Sequence, residues 1–117
     1  MGLEWAGYLL NSPDEYEKQS FKNNPKVMAL LSGGGYSDVV TCHKDHIMPI
    51  PPNLDFKQAA AIPETWLTSY QLINLIGKAQ TGDTCLIHAA ASGIGWAALQ
   101  ICKMQNIKAI AVASSKN

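Results

Sequence analysis

Residues 84 to 116 constrain the fold most. An apolar run, Thr84-Cys85-Leu86-Ile87-His88-Ala89, leads into Ala90-Ala91-Ser92-Gly93-Ile94-Gly95. An apolar helical pattern follows to Gln105, and then Lys108-Ala109-Ile110-Ala111-Val112-Ala113. That order predicts strand, small-residue turn, helix, strand. Parallel neighbours must be joined by a crossover of about a dozen residues or more, which this spacing supplies. A lone βαβ unit leaves sheet faces and strand edges uncovered. The pattern therefore reads as the opening of a larger doubly wound domain.

The turn has the composition of a phosphate site. Small residues let the backbone approach a pyrophosphate, and the helix that follows offers unpaired N–H groups and the positive end of its dipole. Ala90, Ala91, Ser92, Gly93, Ile94 and Gly95 are the candidate contacts. The G-x-G-x-x-G places fall on Ala90, Ser92 and Gly95, with glycine only at the last. A second reading stands beside the first: a strand-to-helix turn in which Gly93 and Gly95 merely admit close packing.

The end of the second strand bears on cofactor type. NAD sites usually place an acid there to bond the ribose 2′-hydroxyl. Here the chain runs into Ser114-Ser115-Lys116-Asn117, with no acid. Two hydroxyls and a lysine suit a 2′-phosphate through charge-assisted hydrogen bonds. If a dinucleotide binds, NADPH is expected over NADH, with Ser114, Ser115 and Lys116 as its contacts. A solvated polar loop is the competing reading.

Composition excludes several classes. The formal net charge is zero and no basic patch is present, so nucleic acid is not an expected partner. No apolar run reaches the ~18 residues of a membrane span, and the first residues lack the pattern of a signal peptide. Three widely spaced cysteines suggest a reduced, cytoplasmic protein.

Upstream, residues 1–10 predict a short strand after a glycine turn, and residues 11–25 a polar loop. Val27 to Leu31 predicts a buried strand and Tyr36 to Cys42 a second, with Gly33-Gly34-Gly35 as the hairpin connection. Cys42, His43 and His46 suggest a metal cluster, but Cys42 and His43 point to opposite faces of a strand and no second ligand pair has zinc spacing. A polar turn is the simpler reading, and no metal site is expected. Prolines 49, 51 and 52 keep residues 47–52 extended. Asn53 or Asp55 caps a helix over 56–62, Gln58 completing a capping box with Asp55. Pro63 opens a further helix with Trp66, Tyr70, Ile73 and Gly77 on its apolar face, widened by Leu67, Leu72, Leu75 and Ile76. Gly77 is its expected C′ stop. The helix after Gly95 is apolar on most sides, so it is expected to be covered twice. Trp96 either crowds the glycine contact or faces outward.

Taken together, these segments resemble a known family. They are Gly2-Leu3-Glu4-Trp5-Ala6-Gly7, Val27 to Gly35, Met48-Pro49-Ile50-Pro51, the long run Gln58 to Leu72, Gly82-Asp83, Leu86 to Ala89, and Ser92 to Gly95. The family is the quinone oxidoreductase (zeta-crystallin-like) branch of the medium-chain dehydrogenase/reductase superfamily, and within it the tumour-suppressor-inducible group. The likeness covers nearly everything except residues 11–25.

The resemblance implies an α/β fold: part of a GroES-like β domain in residues 1–55, then a linking helix and the first βαβ of a Rossmann domain in residues 56–117. It implies hydride transfer from NADPH to a quinone or similar conjugated carbonyl, with both held between the two domains, and homodimers among full-length relatives. The cofactor turn would fall on Ala89 to Gly95, the nicotinamide-side threonine on Thr68, and the 2′-phosphate contacts near Ser115. A helix threonine bonding its own backbone is the alternative for Thr68. Leu3 stands where zinc-dependent relatives have a ligand, so zinc independence is implied. The lysine often found just past the 2′-phosphate contacts would fall on Asn117, one place beyond Lys116. A truncated, non-catalytic product or interaction module of the same family is the alternative function.

Overall fold

The computed structural model describes residues 1–10 and 26–115. The polar loop predicted over 11–25 and the residue Lys116 lie outside the described residues. Two compact units are present, Met1–Glu64 and Thr65–Asn117.

The first unit is built on a three-stranded antiparallel sheet: β1 (Glu4–Tyr8), β2 (Lys26–Leu30) and β3 (Ile47–Pro49), in the order β1-β2-β3. Glu4 lies opposite Leu30 and Tyr8 opposite Lys26; Val27 lies opposite Pro49. β2 is central, and Val27, Met28 and Ala29 are all buried, so the strand is an unbroken apolar run. Met28, Ile50 and Ala59 form the core, with Ala6, Met48, Leu54, Phe56 and Ile62 packed around them. Burying such a side chain contributes about 1.5–3 kcal/mol, which is what holds so small a sheet together. At the rim the Tyr8 ring meets Phe56 edge-to-face, centroids 5.1 Å apart.

The strand predicted over Tyr36–Cys42 does not form; residues 36–39 are bends and residues 40–42 are irregular. The segment cannot form a hairpin with β2, the strand before it, because both edges of β2 are taken by β1 and β3. Gly33-Gly34-Gly35 is accordingly not a hairpin connection. It carries the chain across Gly2, with Gly35 N–H donating to Gly2 O at 2.9 Å. A Cβ on Gly2 would lie 2.8 Å from Gly35 Cα, so this crossing requires glycine.

Helix α1 (Phe56–Ala59) starts at Asp55, whose carboxylate accepts Gln58 N–H at 2.8 Å while Gln58 Oε1 accepts Asp55 N–H at 3.0 Å. Asn53 is not the cap. The helix is shorter than the predicted 56–62, and 3₁₀-type bonds from Ala61 and Ile62 lead on to Pro63. Asp55→Ala is expected to cost about 1 kcal/mol, read as a lower urea midpoint with unchanged slope.

Helix α2 (Pro63–Tyr70) continues into a wider π-type segment, Gln71–Ile76. Gly77 N–H bonds to Leu72 O, five residues back. This widening breaks the 3.6-residue period on which the predicted face rested. Ile73 is buried and Trp66 half-buried, but Tyr70, Leu67, Leu72, Leu75 and Ile76 are exposed. Gly77 is not left-handed (φ −72°); Lys78 is (φ 51°). Glycine is needed at 77 for space instead, since a Cβ would lie 2.8 Å from Leu72 O.

The second unit also holds β4 (Thr84–Ile87), α3 (Gly93–Met104) and β5 (Lys108–Ala111), the βαβ unit of the sequence reading. β4 and β5 pair in parallel, Thr84 opposite Lys108 and Ile87 opposite Ala111. The core is Ile73, Ala98, Ile101, Cys102 and Ile107, with Trp66, Cys85, Ile87 and Ala109 against it. Helix α3 buries one face only: Ile94, Trp96 and Met104 are exposed, so the expected second cover is not made by the described residues.

Candidate functional site

The site grows out of the end of β4. Ladder bonds continue past the strand, Val112 N–H to Ile87 O and Ala90 N–H to Val112 O, both 2.9 Å. Between them the backbone turns sharply at Ala89, which adopts a left-handed φ of 51°. Ser92 N–H closes the turn on Ala89 O at 2.9 Å. Ser92 then caps α3, its hydroxyl accepting Gly95 N–H at 3.1 Å. The amides of Gly93 and Ile94 come before it on the first turn, where a helix has no internal acceptors.

Left-handed alanine costs roughly 1–2 kcal/mol. Ala89→Gly removes that cost but adds unfolded-chain entropy, for an expected net gain of about 0.5–1 kcal/mol. Thermal unfolding will read it as a rise of a few degrees in Tm.

Gly95 fixes how closely the helix sits on the turn. A Cβ there would lie 2.5 Å from Ala89 O and 2.6 Å from Ala90 Cα. Gly93 has more room, its Cβ position meeting only the Thr65 methyl at 3.0 Å. Trp96 faces outward, 64% exposed, and so does not crowd this contact.

Ala90 is buried under the turn, while Ala91, Ser92, Gly93 and Ile94 are exposed along it. A cleft of about 250 Å³ opens here, lined by Ala89, Ala91, Ser92, Ala113 and Ser114. It joins the turn to the end of the second strand. Ser115 follows, exposed; Thr68 sits half-buried on α2, outside this cleft. Ala113 was not singled out by sequence, having no side-chain chemistry to mark it.

Ser69 was also missed. It is buried, and its hydroxyl lies 2.7 Å from Thr65 O and 2.9 Å from Ile94 O. It thus ties α2 to the first turn of α3. A serine three residues after Trp66 and four before Ile73, on the apolar face of α2, was the available signal.

Among the described residues, no group of three His, Cys, Asp or Glu side chains is placed to hold a metal. His43 and His46 lie on an exposed 3₁₀ turn with rings 5.9 Å apart, and His43 Nδ1 is 3.5 Å from Asp45 Oδ2. No described helix is long and apolar enough to cross a membrane.

No protein-family model matches the chain. Individual proteins do. It is 37% identical over 103 residues to squalestatin tetraketide synthase of a Phoma species, covering 88% of this chain and 4% of the synthase. It is 28% identical to mouse quinone oxidoreductase, over 98% of this chain and 34% of that protein. Among solved structures, the quinone oxidoreductase of Thermus thermophilus, determined with NADPH, superposes with a TM-score of 0.69 at 34% identity. That match covers 76% of this chain and 30% of the other. The chain thus spans about a third of the length of these oxidoreductases, and far less of the synthase.

Its homologues and structural neighbours are quinone oxidoreductases and enoyl reductases of the medium-chain dehydrogenase/reductase superfamily. The fold is a piece of theirs: part of a GroES-like β domain followed by the start of a Rossmann domain.

Proposed function

We propose that this chain carries the phosphate-binding part of an NADPH site, in an oxidoreductase that reduces quinones or similar conjugated carbonyl compounds without zinc. The observation that carries this reading is the cleft joining the turn to Ser114. The residues fit the group: small side chains line the cleft, and Gly95 leaves the turn and helix in backbone contact. Ala90 to Gly95 would hold the pyrophosphate, with Gly93 and Ile94 donating amides. Ser114, Ser115 and Lys116 would take the 2′-phosphate and Thr68 the carboxamide. When bound, the cofactor supplies the hydride, while the protein binds, orients and shields.

Within the superfamily, we assign the chain to the tumour-suppressor-inducible group, and we propose residues 1–55 and 56–117 as its two domain portions. Three cysteines outside any disulfide fit a reducing compartment such as the cytoplasm. In a longer form of the protein the active species would be a homodimer.

Titration with NADPH and then NADH, followed by tryptophan fluorescence, tests the reading. Trp96 stands one residue after Gly95 and is exposed to report the event. NADPH is expected to bind at least tenfold tighter, since a 2′-phosphate gains charge-assisted bonds worth more than about 1.4 kcal/mol. Equal affinities, or none in a folded chain, would remove it.

A further inference from the structure

Two of the three cysteines belong to one core cluster. Cys85 sits on β4 and Cys102 on α3, and they share one apolar cluster with Ile73, Ala98, Ile101 and Ile107. β4 turns Cys85 and Ile87 toward this cluster, and Cys102 is the α3 residue at its centre. Cys102 is fully buried, whereas Cys85 is half-buried and lines an apolar cavity of about 490 Å³ that Cys102 does not reach. Burial, then the neighbouring Cys85, pushes the Cys102 thiol up, which keeps it unreactive unless its partner changes. Cys42 lies in the other unit and has no part in this cluster.

We propose that Cys85 and Cys102 form a two-electron redox pair that closes a disulfide between β4 and α3 when a small hydroperoxide enters the cavity. The Cys85 sulfur attacks the peroxide O–O bond and becomes a sulfenic acid, releasing water or an alcohol. The Cys102 sulfur then displaces the sulfenic oxygen, which leaves as water, and the S–S bond forms. Two thiols lose two protons and two electrons; the peroxide takes both. Closing the bond brings two sulfurs of the same cluster to about 2 Å of each other. The crosslink would fix the strand that ends at Ile87, two residues before the Ala89 turn, to the helix that leaves that turn.

The chain is treated with hydrogen peroxide while folded, quenched, unfolded, alkylated and mapped by mass spectrometry. Titratable thiols are expected to fall from three to one. The product should be a Cys85–Cys102 crosslinked peptide with Cys42 alkylated, and dithiothreitol should restore all three thiols. Cys42→Ser should keep the crosslink and Cys85→Ser should abolish it. Overoxidation of Cys85 with Cys102 still alkylated, or crosslinks through Cys42 instead, overturns the proposal.

Discussion

Gly95→Ala is expected to destabilise the 65–117 unit by about 3 kcal/mol and to abolish NADPH binding. The added Cβ would press on Ala89 O at 2.5 Å and on Ala90 Cα at 2.6 Å. Both are backbone atoms, so no rotamer change relieves the clash. Overpacking costs about 1–3 kcal/mol where neighbours can shift, and these are held by the Ala90–Val112 and Ser92–Ala89 bonds. Moving the helix out would also pull Gly95 N–H from the Ser92 hydroxyl and reshape the cleft. Urea unfolding gives the stability; the same variant titrated with NADPH gives the affinity. Near-normal stability and binding would mean that the turn is looser than described.

Ile101→Ala provides the contrast. Ile101 is 4% exposed and sits in the core cluster with Cys102 and Ile107. Removing three carbons from such a site costs about 2–5 kcal/mol, from lost burial and the cavity left behind. The expected loss is therefore of the same size as for Gly95→Ala. Yet Ile101 lies well along α3 from the turn, so chain that remains folded should bind NADPH with unchanged affinity. The two variants together separate loss of fold from loss of site.

The βαβ unit was legible because its signals are local: two apolar runs, a small-residue turn, and a helical period of the right length. The Asp55 capping box was legible for the same reason. The Tyr36–Cys42 segment was misread because strand pairing depends on tertiary context, which residue type cannot report: β2, the strand before it, is already flanked by β1 and β3. The face of α2 was misread because its period was taken as 3.6 throughout, and the π-type segment turned Leu72, Leu75 and Ile76 outward. Within the site, glycine and serine spacing pointed to Ser92 and Gly95. The left-handed backbone at Ala89 and the buried bridge of Ser69 are products of packing, carried by residue types that announce neither.

The measurement that bears most directly on the phosphate site is the amide NMR spectrum of the chain with increasing NADPH. The expected result is saturable shifts concentrated at Ala91 to Gly95 and at Ser114 and Ser115, with much weaker shifts from NADH. A folded spectrum in which these amides stay still, or in which the shifts gather elsewhere, contradicts the assignment of this turn as the cofactor site.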